Sequence, residues 1–272
     1  LNVGPGKPPV PAGAHGYAVG PTKGLTVSLP NGGTRLMIPG ENAWSASVYS
    51  DDHGKTWNSN AGNRSLTLSP GEMDWTMCVS GTSCPNGAKF VMINRAGGKA
   101  NPESAGVSYS HDAVTWSREM PTDNGDLVAG HGHAKPGIVA VAPGAFISSQ
   151  IIALCKKGLK ANPDMSCGTP GSTNYTKRQP SDVLNYGMGL LISKDGTNWT
   201  LFKKTWPIQG MYTTAAALSV NAEGAALTYG VVFAAGSLPT AKTGTIYFMN
   251  FTAVHADGTV DAELATAIAG LH

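Results

Sequence analysis

Short runs in which apolar and polar residues alternate with a period of two recur between residues 25 and 252. That period predicts strands, because successive side chains of a strand point to opposite faces. The strands fall into sets. Residues 25–29, 35–38 and 46–49, with a strand after Trp57, form the first, and 75–79, 89–94 and 106–109, with a strand after Trp116, the second. Residues 137–141, 148–154, 189–192 and 201–205 form the third, and 213–220, 225–233 and 245–252 the fourth. The chain holds 35 Gly and 18 Pro in 272 residues, so tight turns join these strands. Residues 262–271 come nearest to the 3.6-residue apolar period of an amphipathic helix.

One turn recurs. Ser50-Asp-Asp-His-Gly-Lys-Thr-Trp57 is followed by Ser110-His-Asp-Ala-Val-Thr-Trp116, one residue shorter, and by Ser193-Lys-Asp-Gly-Thr-Asn-Trp199. Each copy follows an alternating strand. The carboxylates of Asp52, Asp112 and Asp195 are placed to accept hydrogen bonds from turn backbone N–H groups, as Asx turns do. Gly54 and Gly196 supply a positive φ. Trp57, Trp116 and Trp199 then fold back and bury their rings between sheets. These aspartates are structural in this reading. Sets of about four short antiparallel strands joined by turns predict an all-β fold, a β-propeller. A β-sandwich is the alternative, and it leaves three copies of one turn unexplained.

Composition narrows the function. Apolar residues make up 41% and charged residues 13%, with a net charge of +2 and no basic run, which argues against nucleic acid as a partner. No apolar stretch is long enough for a membrane-spanning helix. Four cysteines allow three pairings. Neighbours in sequence, Cys78 with Cys84 and Cys155 with Cys167, make the preferred one. A zinc site is the rival, and it lacks the usual ligand spacing. Asn63, Asn174, Asn198 and Asn250 each open an Asn-x-Ser/Thr sequon. With paired cysteines they suggest a secreted glycoprotein. The abrupt start at Leu1 fits a trimmed product.

The motif SxDxGxTW is the Asp box, and the chain resembles the sialidase (neuraminidase) superfamily, glycoside hydrolases built as six-bladed propellers. The first copy matches in full; the second lacks the Gly, and the third is the short form. Other segments agree. Gly33-Thr-Arg-Leu-Met-Ile-Pro39 resembles the family's GRLVVP. Glu72 followed by Val91-Met-Ile-Asn-Arg95 resembles its Glu…LNxR segment, and Gly210-Met-Tyr-Thr-Thr214 its GYSSL segment. Ile246-Tyr-Phe-Met-Asn-Phe251 resembles its closing strand. The similarity spans residues 19–252 and implies about blades three to six of six. Residues 1–272 are then one partial propeller domain, with 1–18 an N-terminal arm and 253–272 a C-terminal extension. The family's first blades, with an early Arg and the acid/base Asp, have no counterpart. The implied partner is a second polypeptide that supplies them.

The resemblance also implies chemistry. Sialic acids carry a carboxylate beside the anomeric carbon, which an Arg fork matches with two parallel hydrogen bonds. Arg95 and Arg178 are the candidates. Arg35 fits the structural GRL position, and Arg64 and Arg118 are expected on solvated turns. Sialidases use a Tyr nucleophile, which a substrate carboxylate does not repel. Tyr212 fills that role, with Glu72 as the base that takes its proton. These residues should converge at the central opening. Asp74 shares a face with Glu72 and is expected on a solvated edge. Gly130-His-Gly-His133 reads as a Gly-rich loop with incidental histidines rather than a metal site. Met92, Met188 and Met211 read as core. No cofactor or metal is expected. The activity implied is exo-hydrolysis of a terminal sialic acid or related acidic sugar. The alternatives are a non-catalytic propeller serving as a carbohydrate-binding or assembly subunit, and a purely structural secreted propeller.

Overall fold

The structure, a computed structural model, describes residues 18–19, 22–29, 31–41, 45–59, 72–94, 105–117, 120–122, 127–129, 135–155, 160–161, 167–168, 183–206, 210–235 and 245–271. Four antiparallel meanders follow one another. The first holds β1 (Ala18–Val19), β2 (Leu25–Ser28), β3 (Thr34–Glu41), β4 (Ser45–Ser50) and β5 (Asn58–Ser59). β1 and β2 pair with opposite ends of β3, so they act as one interrupted strand. The second is β6 (Met73–Met77), β7 (Phe90–Asn94), β8 (Gly106–Ser110) and β9 (Met120–Pro121), paired in that order.

The third holds β10 (Leu127–Ala129), β11 (Gly137–Val141) and β12 (Ala145–Cys155). A small hairpin, β13 (Lys160–Ala161) and β14 (Cys167–Gly168), precedes β15 (Val183–Ser193) and β16 (Thr200–Trp206). The fourth is β17 (Gly210–Val220), β18 (Ala226–Ala235) and β19 (Thr245–Thr252). One parallel bridge, Val141 to Ala226, joins it to the third. Among the described residues no sheet closes on itself. The strand sets read from the alternating pattern are these four meanders.

Three apolar cores lie between the four sheets. Met37 meets Trp75, Phe90, Met92 and Trp116 between the first and second. Ile93, Val107 and Tyr109 meet Ile138, Phe146 and Leu191 between the second and third. Val139, Ile147, Met188 and Leu190 meet Ala215, Tyr229, Val231 and Phe233 between the third and fourth. Strands with a sheet on each side are buried along their whole length, as β7, β8 and β11 are.

The last segment forms α1 (Ala262–Ala269), capped by the Asp261 carboxylate, which accepts the Leu264 N–H at 3.0 Å. Leu264 is buried in the third core. Residues 262–269 therefore pack onto the sheet stack through Leu264. Cys78 and Cys84 form a disulfide. Cys155 ends β12 and Cys167 opens β14, and their side chains lie outside the described part.

Candidate functional site

The three recurring Ser-Asp-Trp turns repeat one hydrogen-bond pattern. The Ser hydroxyl bonds the Asp Oδ1 at 2.8 Å in the first copy and 3.0 Å in the other two. It also accepts a turn N–H, from Gly54, Ala113 or Gly196, each at 2.8 Å. The same Oδ1 accepts Thr56 N–H at 2.8 Å, Thr115 N–H at 2.7 Å and Asn198 N–H at 2.8 Å. The Thr56 hydroxyl, donating to Asp52 Oδ2 at 2.5 Å, leads the bonds that hold Asp52 at a pKa of about 2. Burial pushes Asp112 and Asp195 up, but the bonds outweigh it and keep both below the usual carboxylate range. Trp57 and Trp199 return their indole N–H to Gly54 and Gly196 carbonyls, at 3.0 and 2.7 Å. In the second copy Ala113 stands in place of glycine at φ 58°, and the buried Trp116 indole N–H has no partner. Its ring stacks on Trp75 instead.

The chemistry gathers where β2, β6, β11 and β17 begin. Asp74 on β6 is fully buried, which corrects its assignment to a solvated edge. β6 has the first meander on one side and β11 on the other, so neither face reaches water. Asp74 accepts from Thr22 Oγ1, from Lys23 Nζ at 2.9 Å and from the Trp75 N–H at 2.8 Å. It also accepts from the Ile138 N–H at 3.0 Å and from Thr214 Oγ1 at 3.2 Å. Lys23 Nζ in turn donates to the Ile138 carbonyl at 2.5 Å. One ion pair thus satisfies both backbone groups of Ile138 and ties all four meanders together. Burial pushes Asp74 up, yet Lys23, Lys135 and the hydrogen bonds outweigh it and hold the carboxyl below its usual range.

Lys135, just before β11, is also fully buried. Its carbonyl accepts the Thr213 N–H and its ammonium donates to the Thr213 carbonyl, both at 3.1 Å. Burial lowers its pKa to about 8, against the opposing pull of Asp74 and Glu72. Gly137 permits this closeness: a Cβ there would lie 2.6 Å from the Ala215 nitrogen on β17.

Glu72 acts on this amine, and Tyr212 is the residue before its partner Thr213. Glu72 immediately precedes β6, is partly exposed, and shares the face of Asp74 by alternation. Tyr212 is partly exposed and sits at a break in β17 register: Met211 pairs with Ala234, and Thr213 with Phe233. It is the extra residue of that bulge, with φ 33°. Arg95 and Arg178 lie outside the described residues, as do Arg64, Arg118, residues 130–133, Asn63 and Asn174. Arg35 makes a two-pronged bond to Asp51 at 2.7 and 2.8 Å, the structural role expected of it. Asn198 and Asn250 are exposed. Met92 and Met188 are core, and the Met211 side chain lies outside the described part. A cleft of ≈ 450 Å³ beside α1, lined by Leu201, Phe202 and Ala267 among others, shares no residue with this cluster. Among the described residues no group of His, Cys, Asp and Glu is arranged to hold a metal. No described helix is long and apolar enough to cross a membrane.

No protein-family model matches this chain, and no curated protein does. Solved structures overlap it distantly. The α-L-arabinanase of Penicillium chrysogenum, solved with arabinobiose, aligns at 16% identity and a TM-score of 0.44, covering 86% of this chain and 67% of that one. An N-acetylgalactosamine deacetylase from F. plautii, solved with blood group B trisaccharide, aligns at 14% and 0.42, covering 88% and 73%. A glycosyl hydrolase from Bacteroides ovatus gives 11% and 0.37, covering 84% and 64%. The architecture above rests on strand pairing and core packing, independently of these overlaps.

Sequence reasoning missed Lys23 and Lys135. The one available signal was the charge of Asp74 between Met73 and Trp75, both core residues, since a lone carboxylate among buried neighbours needs a cation.

Proposed function

We propose that this chain belongs to a sialidase-type propeller, an exo-acting glycoside hydrolase for terminal sialic acid or a related acidic sugar. The observation that carries this reading is the backbone of Tyr212. A bulky residue at positive φ on a bulge is a strained arrangement of the kind that collects at working sites and re-aims a side chain. In this reading the Tyr212 oxygen attacks the anomeric carbon while Glu72 takes its proton. The bond to the aglycone breaks, and its oxygen takes a proton from an acid supplied by a second polypeptide. Water then releases the sugar from Tyr212. Arg95 and Arg178 hold the sugar carboxylate. The disulfide and the sequons support an extracellular location.

One observation favours a second reading, a carbohydrate-binding subunit without catalysis. Asp74, two residues from Glu72, is buried and saturated with donors, so it has no proton to give a leaving group.

The test compares wild type, Tyr212→Phe and Glu72→Gln on an umbelliferyl α-sialoside, with binding of free sialic acid measured by calorimetry. Tyr212→Phe is expected to lose turnover about a hundredfold or more while keeping affinity. Undiminished turnover in Tyr212→Phe sinks the catalytic assignment. Binding without any cleavage by wild type selects the second reading, and neither binding nor cleavage removes both.

A further inference from the structure

We propose that Lys135 is the positioning residue of this site: it holds the β17 bulge that aims Tyr212, and it makes the site respond to pH. The inference rests on the reading of Tyr212 and Glu72 as the working pair.

Lys135 grips Thr213 from both sides, through its carbonyl and its ammonium. Two groups of one residue bonded to two groups of another close a ring, which fixes the residue immediately after Tyr212. A third contact adds to this, with Thr213 Oγ1 2.5 Å from Ser149 Oγ on β12. The pairing of Met211 and Thr213 with adjacent β18 residues leaves Tyr212 to absorb the extra length, and its left-handed backbone is the result. Thr213 is buried, so the anchor is shielded from water.

A neutral side chain could make the same grip without the cost of burying a cation. The charge therefore has a use. Asp74 and Glu72 of the second meander and Lys23 of the first act on it. Burial brings the amine to about 8, so it sheds its proton as pH rises through that value. The neutral amine still donates to Thr213, but the positive charge facing Glu72 and Asp74 is gone. The charge balance around Tyr212 and Glu72 therefore changes while the grip on Thr213 is kept.

The test uses the folded chain carrying isotope-labelled tyrosine, with Tyr212→Phe assigning the Tyr212 ring signal by NMR. In wild type that signal is expected to shift with a midpoint at about 8. Lys135→Met, which has no charge, and Lys135→Arg, which keeps its charge beyond about pH 12, should both abolish that midpoint. On a sialoside, Lys135→Met is expected to lower kcat about a hundredfold with KM little changed, and to remove the fall in turnover above neutral pH. A flat Tyr212 signal in wild type overturns the proposal, and needs no variant to fold. So does a midpoint that persists in either variant. A wild-type signal that titrates in a chain with no turnover keeps the positioning role and refutes the catalytic reading instead.

Discussion

Asp74 is a carboxylate with no solvent around it and donors from every sheet. Removing one partner of a buried ion pair strands the other, which costs about 3–5 kcal/mol. Asp74→Ala is therefore expected to lower the unfolding free energy by that margin, read as an earlier urea midpoint, with Lys23 and Lys135 left unbalanced. An unchanged midpoint would mean the carboxylate does not hold the sheets. The pH dependence follows from the lowered pKa. A carboxyl that binds its proton less readily when folded adds stability above its unfolded value of about 4. That stability is lost as pH falls through the lower folded value. Wild type should thus weaken in acid more steeply than Asp74→Ala. The alternation around Met73 and Trp75 told which face Asp74 takes, and not what covers it. Its partners lie 51 residues before it and 64 after, and no local pattern reports such contacts. Lys135 was hidden for the same reason.

At the scale of elements the sequence was far more legible, because turns and strands are decided locally. Each of the three Ser-Asp-Trp turns satisfies its own backbone within seven or eight residues, so residue identity is enough to recognise the turn. Strand sets follow from a period that the backbone enforces. What the pattern omitted is the docking of one turn onto the next sheet. Tyr109 on β8 donates its phenol to the Asp195 carbonyl and lies 3.1 Å from Thr197 Oγ1, and burial pushes that phenol to about 12. One side of the third turn therefore packs against β8 while its tip at Asn198 stays exposed. Asp195 accepts two backbone N–H groups, from Thr197 at 2.7 Å and Asn198 at 2.8 Å. Asp195→Ala is expected to cost about 1.5–3 kcal/mol, as hydrogen bonds to a charged group do. Asp52→Ala should cost less. Thermal unfolding of the two variants decides it, and equal losses would show that docking adds nothing to the turn.

The whole molecule is a row of sheets, each covered by the next, until β17–β19. One face of that sheet packs in the third core through Tyr229, Val231 and Phe233. The other carries Leu218, Val232, Ile246 and Phe248, with Ile246 74% and Phe248 59% exposed. A contiguous apolar face of this kind marks an interaction surface. We expect a further antiparallel sheet from a second polypeptide to cover it, repeating the packing of the other sheets. Asn250 alternates onto the same face as Ile246 and Phe248. Face-packed sheets stand about 10 Å apart, which leaves no room for an N-linked glycan. The sequon at Asn250 and a covering sheet therefore exclude each other. Asn198 has no such conflict: it lies on an exposed turn, and its amide needs only one N–H for its 2.7 Å bond to Asp195. In the assembled protein, peptide mass mapping is expected to find a glycan at Asn198 and none at Asn250. Phe248→Glu should leave the circular dichroism spectrum intact and reduce the sedimenting mass to that of the single chain. A glycan on Asn250 of assembled material, or a Phe248→Glu variant that sediments like wild type, would show that this face is open to solvent and that the stack ends at β19.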